Sequence, residues 1–188
     1  MLNRKQIIDG ILPTSAYGYY FRLVEVEDAE FILSLRNNEK LSRHLNPTSN
    51  DVEEQINWLK EYKIREKNGK DFYVICLNED KKTKLGLNRI YNVDGDTFEF
   101  GSWLYSPDAG PNVAVLGELF TKGLAFEKLD FKLCKMETKK KNTRVLWYAK
   151  SYGPKFTGED EFNHYFESDY ENFLTHRAKY LKLFNLNK

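Results

Sequence analysis

Phe98-Glu99-Phe100-Gly101-Ser102-Trp103-Leu104-Tyr105 runs into Ser106-Pro107-Asp108-Ala109-Gly110-Pro111 and then Asn112-Val113-Ala114. The first part, from about Thr97 to Tyr105, reads as a strand whose alternation puts Glu99, Gly101, Trp103 and Tyr105 on one face. Pro107 and the Gly110-Pro111 pair break it. Asn112 stands at the cap position of the longest helical pattern, Val113 to about Lys128, with Val113, Leu116, Phe120 and Leu124 in one row. A strand, a small-residue loop and a helix N-terminus suit an anion, because free N–H groups and the helix dipole both favour a phosphate there. An ordinary strand-to-helix turn is the alternative, and the charge of Asp108 counts towards it.

Upstream, Phe72 to Leu77 is apolar on both parities, as in a strand covered on both faces. A second strand covers Leu85 to Tyr91, and Asp94-Gly95 is a hairpin signal that joins it to the Thr97 strand. Earlier still, Tyr20 to Val26 reads as a strand, and Asp28 as the cap of a helix carrying Phe31, Ile32 and Leu35. Asn50 with Glu53 suggests a capped start for another helix, with Val52, Ile56 and Leu59 at helical spacing. Downstream, Phe131 to Met136 alternates as a strand, and Asn142 to Tyr152 reads as a helix stopped by Gly153-Pro154. Phe162 to Phe166 is a further strand before an amphipathic C-terminal helix. The order predicts an α/β protein with a mixed, mostly antiparallel sheet and helices on both faces. Residues 1–17 read as an N-terminal extension and 18–188 as a single domain.

The 188 residues suffice for one self-standing core. A formal charge of +1 supplies no basic excess for nucleic acid, and no window approaches the ~18 apolar residues of a membrane span. The charged and polar residues among Met1 to Leu12 do not make a signal peptide. The expectation is therefore a cytoplasmic protein, monomer or homodimer, with neither nucleic acid nor membrane as partner. Cys76 and Cys134 lie in apolar runs and read as buried free thiols. His164 and His176 stand apart from other ligand types, so no metal is expected.

Glu99-Phe100-Gly101, Trp103, Tyr105, Pro107, Gly110 and a long helix ending Ala125-Phe126-Glu127-Lys128-Leu129 resemble the core of GNAT acetyltransferases. The similarity is greatest to the branch with ribosomal-protein and nucleotide-sugar aminosugar N-acetyltransferases. Ile32 to Asn37 resembles that branch's first helix, Glu53 to Trp58 its second, and Asn142 to Val145 with Gly153 its fourth. The resemblance spans roughly residues 20 to 168.

It implies the GNAT fold and transfer of acetyl from acetyl-CoA to a primary amine. The acceptor expected is a small molecule, such as a nucleotide-linked amino sugar. A protein N-terminus or a polyamine is an alternative, and a catalytically inactive binding module is the rival from another class. By the same resemblance, Gly110, Pro111, Asn112, Val113 and Ala114 cradle the pyrophosphate. The backbone at Trp103, Leu104 and Tyr105 pairs with the pantetheine arm, and Asn142 is a further cofactor contact. Glu99 deprotonates the amine, directly or through water, or else is a structural carboxylate. A backbone N–H near Leu104 holds the oxyanion.

A fourth-helix tyrosine protonates the thiolate in many members, but a gap-free reading puts Ala149 there and Tyr148 one step earlier, about 100° round the helix. The family's loop usually carries Gln or Arg; here no basic residue faces the phosphates, and Pro111 removes a donor. Arg36, Asn37, His44 and Asn46, with Trp58 and Trp103 as apolar walls, are the acceptor candidates.

Overall fold

Strand pairing starts earlier in the chain than the pattern predicts. In the computed structural model, which describes residues 2–186, α1 (Arg4–Asp9) and β1 (Thr14–Ala16) precede the expected elements. β1 pairs antiparallel with β2 (Tyr19–Leu23), and Ile8 and Leu12 are buried in the same core as β2. The segment expected as an extension thus supplies a helix and an edge strand. α2 (Ala29–Arg36) and α3 (Val52–Lys67) come next, followed by β3 (Phe72–Leu77), β4 (Lys84–Asp94) and β5 (Thr97–Tyr105). After them run α4 (Val113–Gly123), β6 (Leu133–Lys139), α5 (Thr143–Tyr152), β7 (Lys155–Glu159), β8 (Asn163–Asp169) and α6 (Tyr170–Leu183). The eight strands form one sheet in the order β1-β2-β3-β4-β5-β6-β8-β7.

Each sheet face has its own apolar cluster. Ile32, Leu35, Leu59 and Tyr62 of α2 and α3 cover one face, against Tyr73, Ile75, Leu87 and Leu104. Leu116, Leu119, Phe173 and Tyr180 of α4 and α6 cover the other, against Phe72, Val74, Phe98 and Phe100. β3 feeds both clusters, which is why its sequence is apolar on both parities.

Several local expectations change. Asp28 makes no capping bond to α2; it is buried, accepts from Glu25 N–H at 2.9 Å, and takes Arg22 bidentately at 2.7 and 2.9 Å, with Lys84 at 2.7 Å. Asp51, not Asn50, caps α3, accepting from the Glu53 N–H at 2.8 Å. α4 ends at Gly123 and continues as a π turn over Leu124–Lys128, closed by Leu129 N–H donating to Leu124 O. The expected start of α5 at Asn142 and its stop at a left-handed Gly153 are both present. Cys76 and Cys134 are free and buried.

Two irregularities in β5 create the site. Leu87 faces Leu104 but Arg89 faces Gly101, so Asn88 alone opposes both Ser102 and Trp103. That is a β-bulge, with Ser102 at φ +47°. The extra residue resets the alternation. Phe98 and Phe100 face α4, Glu99 beside Tyr91 faces the other way, and beyond the bulge Trp103 and Tyr105 return to the α4 cluster. The single face expected for Glu99, Gly101, Trp103 and Tyr105 is therefore split in two. Second, β5 pairs with parallel β6 only from Thr97 to Glu99. On its other edge β6 stays paired with β8 from Leu133 to Lys139, while the two central strands diverge beyond the third residue pair.

Candidate functional site

The divergence leaves the β6-facing edge of β5 from Phe100 to Tyr105 without a strand partner. On the α4 side Trp103 spans part of the opening. Its indole N–H donates to Ala114 O at 2.7 Å, and its ring lies 5.1 Å from that of Tyr148 on α5. The Leu104 side chain is buried in the opposite cluster. Tyr105 points inward, its hydroxyl accepting from Asn88 Nδ2 at 2.7 Å. Only the backbone of these two residues is offered to a ligand.

At the start of α4, Asn112 makes no side-chain cap. The first-turn N–H groups of Val113 and Ala114 face the end of the 106–112 loop, where Gly110 adopts φ +93° with open space around it. Pro111 and Asp108 are exposed. The arrangement fits a phosphate through backbone donors and the helix dipole rather than through a basic side chain. Asn142 caps α5, its Oδ1 accepting from Val145 N–H at 3.3 Å.

On the α2–α3 face a cavity of about 290 Å³ meets β5 at the bulge. Arg36, Thr48, Gln55, Trp58, Tyr73, Arg89 and Ser102 line it with Ile32 and Pro47. The structure thus brings Arg36 and Trp58 together, as expected. Arg36 Nε donates to Thr48 Oγ1 at 2.7 Å, tying α2 to the loop before α3. Asn46 in that loop accepts from Lys139 Nζ at 3.3 Å, so the loop reaches the end of β6. Asn37 ends α2, and His44 sits in a 3₁₀ turn; neither lines this cavity. A more open hollow of about 560 Å³ between α2 and the Ser106–Asp108 loop lacks contact with the bulge.

Arg89 and Tyr73 escaped sequence reasoning. Arg89 is fixed by Asp71, with Nε donating to Oδ1 at 2.8 Å, and its guanidinium lies 4.9 Å from the Trp58 and Tyr91 ring centres. The available signal was a basic residue inside the apolar run Leu87-Asn88-Arg89-Ile90, with an acid just ahead of Phe72. Glu99 faces the same side, on the far side of Tyr91. Its Oε2 accepts from Asn92 Nδ2 at 3.0 Å, and in the register it stands opposite Tyr91, whose pKa is raised by burial and by the Glu99 charge. The Tyr91 ring lies over Gly101, where a Cβ would come within 2.9 Å of it.

A strand with a free edge at Trp103 to Tyr105, followed by a helix N-terminus, is the arrangement the sequence resemblance implied; the bulge is an addition of the structure. Residues 19–155 match the family described as an acetyltransferase (GNAT) domain. The chain belongs to the GNAT acetyltransferases. Among solved structures it is similar to apo FdhC, described as a nucleotide-linked sugar GNAT. Their identity is 30% with a TM-score of 0.80, covering 90% of this chain and 96% of that one. Two further structures share the fold at lower identity. The ribosomal-protein-S5-alanine acetyltransferase of Vibrio fischeri has 15% identity and a TM-score of 0.73, covering 87% of this chain and 99% of that one. RimJ of Mycobacterium smegmatis in complex with CoA-disulfide has 13% and 0.72, covering 89% of each chain. No curated protein matches.

In this GNAT domain Tyr148 belongs to a buried polar network contributed by three helices. Its hydroxyl donates to Glu118 Oε2 at 2.7 Å and lies 2.7 Å from His176 Nε2. Glu118 also pairs with Lys122 Nζ at 2.6 Å, and the His176 ring stacks on Tyr152 at 3.8 Å. The hydroxyl proton is therefore committed to Glu118, away from any thiolate. Burial of His176, against the pull of Glu118, lowers its pKa from 6.5 to about 4. Between those values the unfolded chain binds a proton that the native state refuses, so stability is complete above pH 6.5 and falls as the pH drops. Urea titrations at pH 7 and 4.5 should differ by roughly 2 kcal/mol from this group, on top of the carboxylate contribution that His176→Phe shares. His176→Phe should flatten that slope; an unchanged slope would mean that His176 titrates normally.

Proposed function

We propose that the chain is an acetyl-CoA-dependent N-acetyltransferase whose acceptor is the primary amine of a small anionic molecule, a nucleotide-linked amino sugar fitting best. The observation that carries this reading is the cavity at the bulge. It holds two guanidinium groups, Arg36 and Arg89, and an indole face, with no carboxylate among its lining residues. Guanidinium groups suit phosphate oxygens, and Trp58 offers a stacking surface. A polyamine would meet like charge there. The similarity to a nucleotide-linked sugar GNAT supports the same acceptor class.

The free edge of β5 at Trp103 to Tyr105 suits the amides of the pantetheine arm, and Gly110 to Ala114 suit the pyrophosphate. The thioester carbonyl would then lie by the bulge, between Leu104 N–H and the acceptor cavity. Glu99 accepts the amine proton through the Tyr91 hydroxyl or a water. Coenzyme A has an ordinary thiol with a pKa of ~8.5, so its thiolate leaves without a strong acid. That chemistry agrees with a Tyr148 hydroxyl bound elsewhere.

Turnover of acetyl-CoA with nucleotide-linked amino sugars, spermidine and amino-terminal peptides tests the reading. Amino-sugar nucleotides should react fastest; a preference for spermidine would overturn the acceptor class, and no turnover would leave a binding module. Asn112→Glu places a carboxylate at the proposed phosphate site. Calorimetry should show acetyl-CoA bound at least tenfold more weakly, about 1.4 kcal/mol. Undiminished affinity would remove the loop from the site.

A further inference from the structure

Ser102 occupies a backbone conformation that a glycine would adopt at less cost. At φ +47° it lies in the left-handed region, where a Cβ crowds the following carbonyl. Such a residue persists where the surrounding structure holds it and where its side chain is put to use. The bulge holds Ser102, and its side chain faces the acceptor cavity together with Tyr73.

Tyr73 reaches the same point from β3. Both residues line the acceptor cavity. The ring is 2% exposed and locked edge-on between Trp58 and Tyr62, with centroid separations of 6.3 and 6.0 Å. Burial pushes its pKa up, against the pull of Arg36 and Arg89, so it remains a protonated donor.

We infer that Ser102 contacts the acceptor amine during acetyl transfer and that Tyr73 is the residue that positions it. The role rests on the acetyltransferase reading above. A serine hydroxyl has one donor and two acceptor sites. The Tyr73 proton fills one acceptor site and fixes the rotor. The second receives an N–H of the neutral amine, which turns the nitrogen lone pair away from Ser102 towards the diverging strands. No proton passes to Ser102; deprotonation stays with Glu99.

Ser102→Gly is a sharp test, because glycine suits the backbone and removes only the small hydroxymethyl group. Acceptor kcat/KM should fall by about 10- to 100-fold, in the range of one lost hydrogen bond to a reacting group. The acetyl-CoA Kd should hold, and Tm should be unchanged or higher. Tyr73→Phe should lower kcat/KM by about 5- to 10-fold. The double variant should be no worse than Ser102→Gly alone, since Tyr73 acts through Ser102. Wild-type kcat/KM in Ser102→Gly would overturn the assignment. Losses that multiply in the double variant would overturn the coupling. A wild-type protein without turnover on any acceptor would remove the acetyltransferase reading itself, and this role with it; an active wild type keeps the two failures apart.

Discussion

Glu99→Gln is expected to lower kcat by about 10²- to 10⁴-fold at neutral pH, the usual contribution of a general base, with partial recovery at high pH. Glutamine keeps the size of the side chain and can still accept from Asn92 Nδ2, so the turn below β5 should stay in place. The carboxylate does not line the acceptor cavity. Its cross-strand neighbour Tyr91 reaches towards the middle of β5, over Gly101. Steady-state rates across pH, with acetyl-CoA calorimetry and a thermal melt as controls, decide the matter. If Glu99→Gln keeps most of its activity while both controls match wild type, Glu99 is a structural carboxylate serving Asn92 and Tyr91. The amine would then lose its proton to solvent.

Gly117→Ala is expected to destabilise the fold by ~4 kcal/mol. A Cβ there would stand 1.7 Å from the Tyr105 hydroxyl oxygen and 3.0 Å from Asn88 Nδ2. The Tyr105 ring has no retreat on the other side, because it lies against Gly86, where a Cβ would come within 2.2 Å of it. Overpacking of this kind costs about 1–3 kcal/mol. Breaking the Asn88–Tyr105 bond adds about 1–3 kcal/mol, because Asn88 Oδ1 is already buried without a partner. At about 2–4 °C per kcal/mol for a chain of this size, Tm should drop by roughly 8–16 °C. A shift below about 3 °C would show that α4 slides easily on β4 and β5. Then the helix N-terminus would not be held at a fixed height above the divided sheet.

Locally encoded features were legible in the sequence. The Asp94-Gly95 hairpin, the start of α4 after Asn112 and the Asn142-to-Gly153 span of α5 follow from turn residues, caps and periodicity, which act over a few residues. The motifs around Glu99 to Gly110 were enough to place the chain in its family. Arg36 and Trp58 were legible because they lie on recognisable helices, Arg36 at the end of α2 and Trp58 within α3.

Contacts between distant segments were decided by tertiary structure alone. No local pattern announces the Ser102 bulge, because it arises from the register between β4 and β5; one extra residue then moved Trp103 and Tyr105 to the face opposite Glu99. The strand divergence is likewise non-local: β6 keeps β8, some thirty positions further on, along one edge from Leu133 to Lys139, while its other edge leaves β5 after Glu99. Asp28 reads as a cap because Asp caps helices, yet its buried carboxylate is taken by Arg22, Lys84 and the Glu25 N–H rather than by an N–H of α2. Tyr148 was judged by its place along α5, whereas Glu118 of α4 and His176 of α6 determine where its proton goes. Sequence determined the elements and the family, because caps, turns and periodicity are short-range; tertiary structure decided which faces meet, because strand register and buried charge pairing are not.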